Sequence, residues 1–303
     1  MADTLQDKDW NRLLTRIKKG TCTPFLGAGS SYGVLPLGRD IASKWAKSYG
    51  YPIHEECKDL IKVSQFLAIT EDPSFPREQI VEMITEITGK GNVPDFSDHY
   101  EPHRVLADLP LPVYITTNYD DFMVRALRSR NKNPIVELCR WKRSLRDYES
   151  VFEKDRCFEP TPANPVVFYL HGYYEVEESL VITEDDYLDF IVNISANEGL
   201  IPSRIWKALR STSILFLGYR IADWNFRVLF RKLVHEMGGV GDKKHVSVQI
   251  APGDEDDPEE QRKSVKRYLD SYYEKLTIHV YWGDCRRFME ELRRLWEGFT
   301  NGQ

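Results

Sequence analysis

Cysteine is sparse in this chain of 303 residues: Cys22, Cys57, Cys139, Cys157 and Cys285 are odd in number, scattered, and include no Cys-x-x-Cys. A disulfide framework or a thiolate zinc site wants paired or clustered cysteines, so the expectation is reduced thiols in a cytoplasmic protein. No run approaches the roughly 18 apolar residues of a membrane-spanning helix, and the polar stretch 1–20 lacks the apolar centre of a signal peptide. A long Lys/Arg block is missing too, and 41 basic against 47 acidic residues leave a net charge of −6. Each neutralised phosphate needs a cation opposite it, so direct nucleic-acid binding is not expected. There is no internal repeat and no low-complexity tail. What is present is 42% hydrophobic residues, enough to fill a core. At roughly 150 residues per domain, the length fits one large domain or two small ones.

Short apolar runs recur at 23–26 (TPFL), 113–116 (VYIT), 166–170 (VVFYL), 214–217 (ILFL), 246–250 (VSVQI) and 278–281 (IHVY). They are too short for helices and rich in Val, Ile, Phe and Tyr, which marks strands. Their hydrophobicity is nearly continuous rather than alternating, as in strands buried on both faces of a parallel sheet. Segments of helical period at 120–130, 224–236, 258–275 and 286–296 supply crossovers, and in the last of these Phe288, Leu292, Leu295 and Trp296 share one face. The fold class is therefore α/β: a doubly wound, Rossmann-like parallel sheet of about six strands with helical insertions. More chain separates the first two strands than one crossover helix can use, and it includes apolar helical stretches at 60–69 and 80–87. A single domain over about 20–298 is expected, with a helical insertion at about 40–110 and a second, looser one at about 128–165. The acidic, Pro-containing run 251–261 reads as a solvated loop leading into a helix.

Polar and glycine residues follow the strands. The first runs into Gly27-Ala28-Gly29-Ser30-Ser31, where glycines allow a sharp turn and close approach to a phosphate; a plain tight turn would look the same. The second ends in Thr117-Asn118-Tyr119-Asp120-Asp121, a polar cluster where ligands lie in open parallel sheets, or else a helix cap. The third ends in His171-Gly172, a general base by its titration range or a structural histidine. Gly218-Tyr219-Arg220 and Asp223-Trp224-Asn225 follow the fourth, with Asp223 placed to cap the next helix, and Gly283-Asp284-Cys285 follows the last.

Taken in order, Gly27-Ala28-Gly29-Ser30, Thr117-Asn118-Tyr119-Asp120, His171-Gly172 and Gly218 after an apolar strand resemble the sirtuin (Sir2) family. The Phe-Leu-Gly-Tyr and Asp-Trp-Asn stretch and the Tyr-Trp-Gly near the C-terminus are similar to the bacterial Sir2-like domains of antiviral defence systems. The resemblance spans about 24–296 and implies an NAD site. It implies that Gly27, Ala28, Gly29 and Ser30 hold the pyrophosphate, and that Asn118 and Asp120 lie beside the nicotinamide ribose and carboxamide. His171 becomes the general base, with Gly218 and Tyr219 on the adenosine side and Asp284 and Cys285 near adenine.

Protein-deacylating sirtuins carry a zinc module of two cysteine pairs after the catalytic histidine, and here no cysteine stands between Gly172 and Cys285. Without those ligands no metal is expected. Thr117 replaces the usual Gln, and Val34-Leu35-Pro36-Leu37-Gly38-Arg39 replaces the usual Pro-Asp-Phe-Arg, both on the acyl-lysine or nicotinamide side of the pocket. The resemblance thus implies an NAD hydrolase, with NAD as substrate, that releases nicotinamide and ADP-ribose as the effector of a bacterial antiviral system. Deacylation, ADP-ribosyl transfer and a non-catalytic NAD- or ADP-ribose-binding module stay open. By the same resemblance a homo-oligomer is expected, with a partner protein of HerA-type ATPase or short Argonaute kind, or a fusion partner.

Overall fold

The computed structural model describes residues 5–219, 245–250 and 259–301. The helix expected at 224–236, the Asp223-Trp224-Asn225 stretch and most of the acidic run 251–261 lie outside the described residues. In chain order, α1 (Asp7–Lys18) leads to β1 (Cys22–Leu26). Helices α2 (Gly38–Tyr49), α3 (Leu60–Thr70), α4 (Phe75–Gly89) and α5 (Pro102–Asp108) then fill the interval before β2 (Val113–Thr116). Next come α6 (Phe122–Ser129), β3 (Ile135–Leu138), α7 (Val151–Lys154) and β4 (Val166–Tyr169). The helices α8 (Glu184–Ala196) and α9 (Ser203–Ser211) precede β5 (Ser213–Leu217), and β6 (His245–Gln249), α10 (Glu259–Lys275), β7 (Ile278–Trp282) and α11 (Cys285–Asn301) complete the order.

Among the described residues seven strands pair in parallel, in the order β3-β4-β2-β1-β5-β6-β7. This is a Rossmann-like α/β architecture, and the sequence reading of about six strands lacked one, β3, which lies inside the segment 128–165. Residues of each strand divide by the two-residue period of the pleat. Leu215 and Leu217 of β5 join Tyr114, Val167 and Tyr169 in a core closed by Trp10, Leu13 and Ile17 of α1 and Phe288 and Leu292 of α11. Ile214 and Phe216 join Phe25, Ile115 and Phe168 in a second core, closed by Phe190 and Ile194 of α8 and by Ile205 and Trp206 of α9. Helices thus cover both faces, which is why the strands read as unbroken apolar runs. A third core packs Ile41 and Trp45 of α2, Val63 and Leu67 of α3 and Ile80 and Ile84 of α4 against Leu180 and Ile182. Among the described residues no helix is long and apolar enough to cross a membrane.

Candidate active site

Parallel pairing brings the carboxyl ends of the strands to one edge, with β1 in the middle. The chain builds β2 and β4 on one side of β1 and β5 on the other, so the switch point of the sheet lies at the end of β1, where such folds bind ligands. Register aligns Leu26 with both Thr116 and Leu217, and Thr116 with Tyr169. The ladder continues just past the strands: Gly27 N–H donates to Leu217 O (2.9 Å), Thr117 N–H to Leu26 O (3.0 Å) and Leu170 N–H to Thr116 O (2.8 Å). Four loops therefore leave the sheet side by side.

The first, 28–31, is a single 3-10 turn. Ser30 donates twice to Gly27 O, through its N–H (2.9 Å) and its Oγ (2.8 Å). Gly29 N–H donates to Gly218 O at 3.0 Å. Gly218 has φ +69°, and a Cβ there would lie 2.2 Å from Ser30 N, so only glycine fits. The Tyr219 ring lies over Gly27 and meets Phe25 edge-on, while Gln249 Nε2 holds Tyr219 O at 2.6 Å. The close approach that these glycines permit is here between two loops of the protein itself. Ala28 is exposed, and its N–H takes no partner among the described residues.

Asn118 is buried between these loops. Its Nδ2 lies 3.2 Å from Gly27 O, 3.2 Å from Ser30 Oγ and 3.3 Å from Ser31 Oγ. A backbone carbonyl can only accept, so the amide nitrogen must face Gly27, and the side chain's orientation is fixed. Oδ1 is left with no protein partner among the described residues.

Asp120 accepts Ser31 Oγ–H at 3.1 Å and Phe122 N–H at 3.0 Å, and its own carbonyl accepts Tyr169 O–H at 2.9 Å. Burial raises its carboxyl pKa, against the opposing charge of His103 and these hydrogen bonds. His103 is itself buried on α5, with Nδ1 2.7 Å from Glu101 Oε1. Burial alone would push that imidazole down, but the Glu101 carboxylate and the Asp120 charge outweigh it and hold the pKa above its ordinary value.

His171 occupies, after β4, the position that Asn118 occupies after β2, each two residues beyond the paired Thr116 and Tyr169. The ring is buried, and burial pushes its pKa down to about 3, so the imidazole is neutral at ordinary pH and keeps one lone pair free to accept a proton. Its carbonyl accepts Val181 N–H at 2.9 Å. Gly172 has φ +97°, and a Cβ there would meet Ser179 O at 2.3 Å, so the chain folds back tightly behind the histidine.

Gly27, Gly29, Ser30, Asn118, Gly218 and Tyr219 are thus joined by direct contacts, Asp120 is joined to them through Ser31, and Thr117 hangs from Leu26 O by its N–H and its Oγ. No hydrogen bond links His171 to them among the described residues; strand register brings it to the same edge. Cys285 lies beneath Gly218, whose backbone bonds its sulfur, and burial pushes the thiol up to about 12, too high for a nucleophile. Asp284 is exposed and caps α11 by accepting Arg287 N–H at 2.8 Å. Sequence reasoning missed the Glu101–His103 pair, for which only the helix start at Glu-Pro is a legible signal. Ser31 is legible as a hydroxyl on the glycine loop, but its link from Asn118 to Asp120 is not, because those partners lie 87 and 89 residues away in sequence.

A family model described as SIR2-like domain matches residues 112–278, more than half of the chain, from just before β2 to the start of β7. The chain is 23% identical over 299 residues to the NAD(+) hydrolase ThsA of Acinetobacter baumannii, an alignment covering 94% of this chain and 55% of that protein. It is 26% identical over 214 residues to the protein of the same name from Enterococcus faecium, covering 71% of this chain and 40% of that one. A third relative, defense-associated sirtuin 2 of Bacillus subtilis, is 28% identical over 129 residues, which is 42% of this chain and 11% of the relative. The chain spans about half, or less, of the length of these relatives.

Proposed function

We propose, from the premise that this chain belongs to the SIR2-like domain family, that it hydrolyses NAD at the N-glycosidic bond, releasing nicotinamide and ADP-ribose. The observation that carries this reading is Asn118: its amide is clamped by three acceptors on the glycine loop, and its carbonyl oxygen is left over among the described residues. Nicotinamide leaves as a neutral molecule while the ribose C1′ develops oxocarbenium character. A water then adds to C1′ and loses one proton. The Asn118 Oδ1 dipole orients that water or a ribose hydroxyl and favours the developing positive charge. His171, neutral by burial, accepts the proton.

The loop 27–30 holds the pyrophosphate, with Ala28 N–H as a donor that no other group among the described residues uses. Asp120, held by Ser31, serves the carboxamide side with Thr117. Gly218, Tyr219 and Cys285 serve the adenosine side, where Asp284 fixes the start of α11. No step requires a metal. The names of the relatives support NAD as substrate and a setting in bacterial defence; that the defence is antiviral is part of the proposal. We further propose a single domain with two insertions, acting in the cytoplasm as a homo-oligomer with a partner protein or a further segment of chain, and without binding nucleic acid directly.

The test is product analysis with purified protein and NAD, alone and with candidate partners. Nicotinamide and free ADP-ribose should appear in equal amounts. Asn118→Ala and His171→Ala should each lower kcat by about 100-fold or more while NAD binding persists. Wild-type turnover in both variants would falsify the assignment. ADP-ribose attached to protein would instead identify a transferase, and intact bound NAD a binding module.

A further inference from the structure

Two side chains of α8, Tyr187 and Phe190, lie three residues apart on one helix face, and both meet the His171 imidazole edge-on. The ring centroids are 5.3 and 5.0 Å away, with interplanar angles of 79° and 88°. Tyr187 Oη lies 3.5 Å from His171 Nδ1 and is the one hydrogen-bonding group at either ring nitrogen among the described residues. Phe190 fixes the plane of the imidazole but brings no polar atom.

The helix that presents these rings is held firmly at its start. Thr183 Oγ1 accepts Asp186 N–H at 3.1 Å, and Asp186 Oδ2 accepts Thr183 N–H (3.1 Å) and Ile182 N–H (3.2 Å), a capping box. Asp186 also pairs with Arg77 of α4. Gln65 of α3 binds Asp185 twice, donating from Nε2 to Oδ2 (2.8 Å) and accepting the backbone N–H at Oε1 (3.1 Å). Tyr187 is the next residue along.

We propose that Tyr187 is a positioning residue for His171: its hydroxyl oxygen accepts the Nδ1 proton, which fixes the tautomer and leaves Nε2 to take the proton of the attacking water. A neutral imidazole carries one N–H, so a proton on Nδ1 is what keeps the lone pair on Nε2. In the step itself the water oxygen bonds to C1′ as one of its O–H bonds breaks, and that proton passes to Nε2. The 3.5 Å separation is long for a hydrogen bond, as catalytic contacts commonly are before substrate closes on them. The inference rests on the reading of His171 as general base.

Its test has two arms. Nitrogen-15 NMR of the histidine rings in the free wild-type protein should show His171 protonated on Nδ1, and an Nε2–H form there overturns the proposal without any variant. Tyr187→Phe keeps the ring and removes the hydroxyl. It should lower kcat about 10- to 100-fold, part of what a general base contributes, and leave KM for NAD within about twofold. The same variant should show a mixture of His171 tautomers. Unchanged kcat, or an unchanged tautomer in Tyr187→Phe, overturns the proposal. Should wild-type protein turn over no NAD under any condition, the hydrolase reading fails, while the tautomer of His171 still decides the part played by Tyr187.

Discussion

His171 and His103 are both buried beside the candidate site, yet their neighbours drive them in opposite directions, and pH separates the two. Burial with no charged partner takes His171 from its ordinary 6.5 to about 3. An unfolded chain therefore binds a proton between those values that the folded one refuses, so stability is full above about pH 6.5 and falls as the pH is lowered. His103, raised by Glu101 and Asp120 against burial, behaves in reverse: its contribution is full below 6.5 and fades as the pH rises through its folded value. Asp120, raised by burial, contributes in the same sense as His103, from a window that opens lower, near 3.8. Linkage gives about 1.4 kcal/mol per pH unit for one proton, so His171 should account for a loss of about 2 kcal/mol between pH 7 and pH 5. Urea unfolding of wild type, His171→Gln and His103→Gln at pH 5, 7 and 8 checks this. The acid slope should shrink in His171→Gln alone and the alkaline slope in His103→Gln alone, whatever each substitution does to absolute stability. An undiminished acid slope in His171→Gln would show that its ring is not the group excluded from protonation.

At the scale of elements, the start of α8 carries more than its own helix. Asp186 is buried, accepts two backbone N–H groups and pairs with Arg77 across to α4. Removing one member of such a pair strands the other, and here it also takes the carboxylate half of the capping box away from the Ile182 and Thr183 N–H groups. Asp186→Ala should cost about 3 kcal/mol in urea unfolding, and Arg77→Ala less, because Asp186 then keeps its backbone donors. Equal losses would mean that the ion pair, not the cap, is what matters. In the sequence Asp186 is marked only as the acid three residues after Thr183, the spacing of a capping box; its pairing with Arg77, 109 residues away, has no local signal. The strands were more legible. Six of them announce themselves as apolar runs, β7 at the opposite sheet edge included, whereas β3 is only four residues long and one of the four is Glu137. That carboxylate is buried and accepts Val151 N–H at 3.0 Å, a contact that makes an acidic residue tolerable inside a strand and hides the strand from a hydrophobicity reading. The site divides in the same way. Residues that follow a strand end directly, such as Asn118, His171 and Gly218, are visible by position. His103 and Tyr187 come from helices packed behind the loops, where no local spacing rule reaches.

For the molecule as a whole, the question is whether the helices between β1 and β2 form a separable body. The stretch 180–182 argues against it. Leu180 and Ile182 point into the core of α2, α3 and α4, while Val181 between them belongs to the core under α8 and α9. The same Val181 donates its N–H to His171 O, and its carbonyl accepts Tyr119 O–H at 2.7 Å. One extended segment is thereby shared by the inserted helices, the sheet layer and the site, so none can open without losing buried contacts of another. The expectation is a single unfolding transition. Tryptophans report on all three cores: Trp45 in the inserted helices, Trp141, Trp206 and Trp282 on one face of the sheet, and Trp10 and Trp296 on the other. Fluorescence and far-UV circular dichroism should therefore give coincident urea curves. Ile80→Val in the inserted helices and Ile205→Val on α9 should each lower stability by about 1 kcal/mol. The double variant should lose their sum to within about 0.5 kcal/mol, since the two sites share no partner. Each substitution should move the whole curve. An Ile80→Val protein in which only an early phase shifts, seen by fluorescence and leaving the main transition where it was, would show that the inserted helices unfold by themselves and that the shared segment does not couple them to the site.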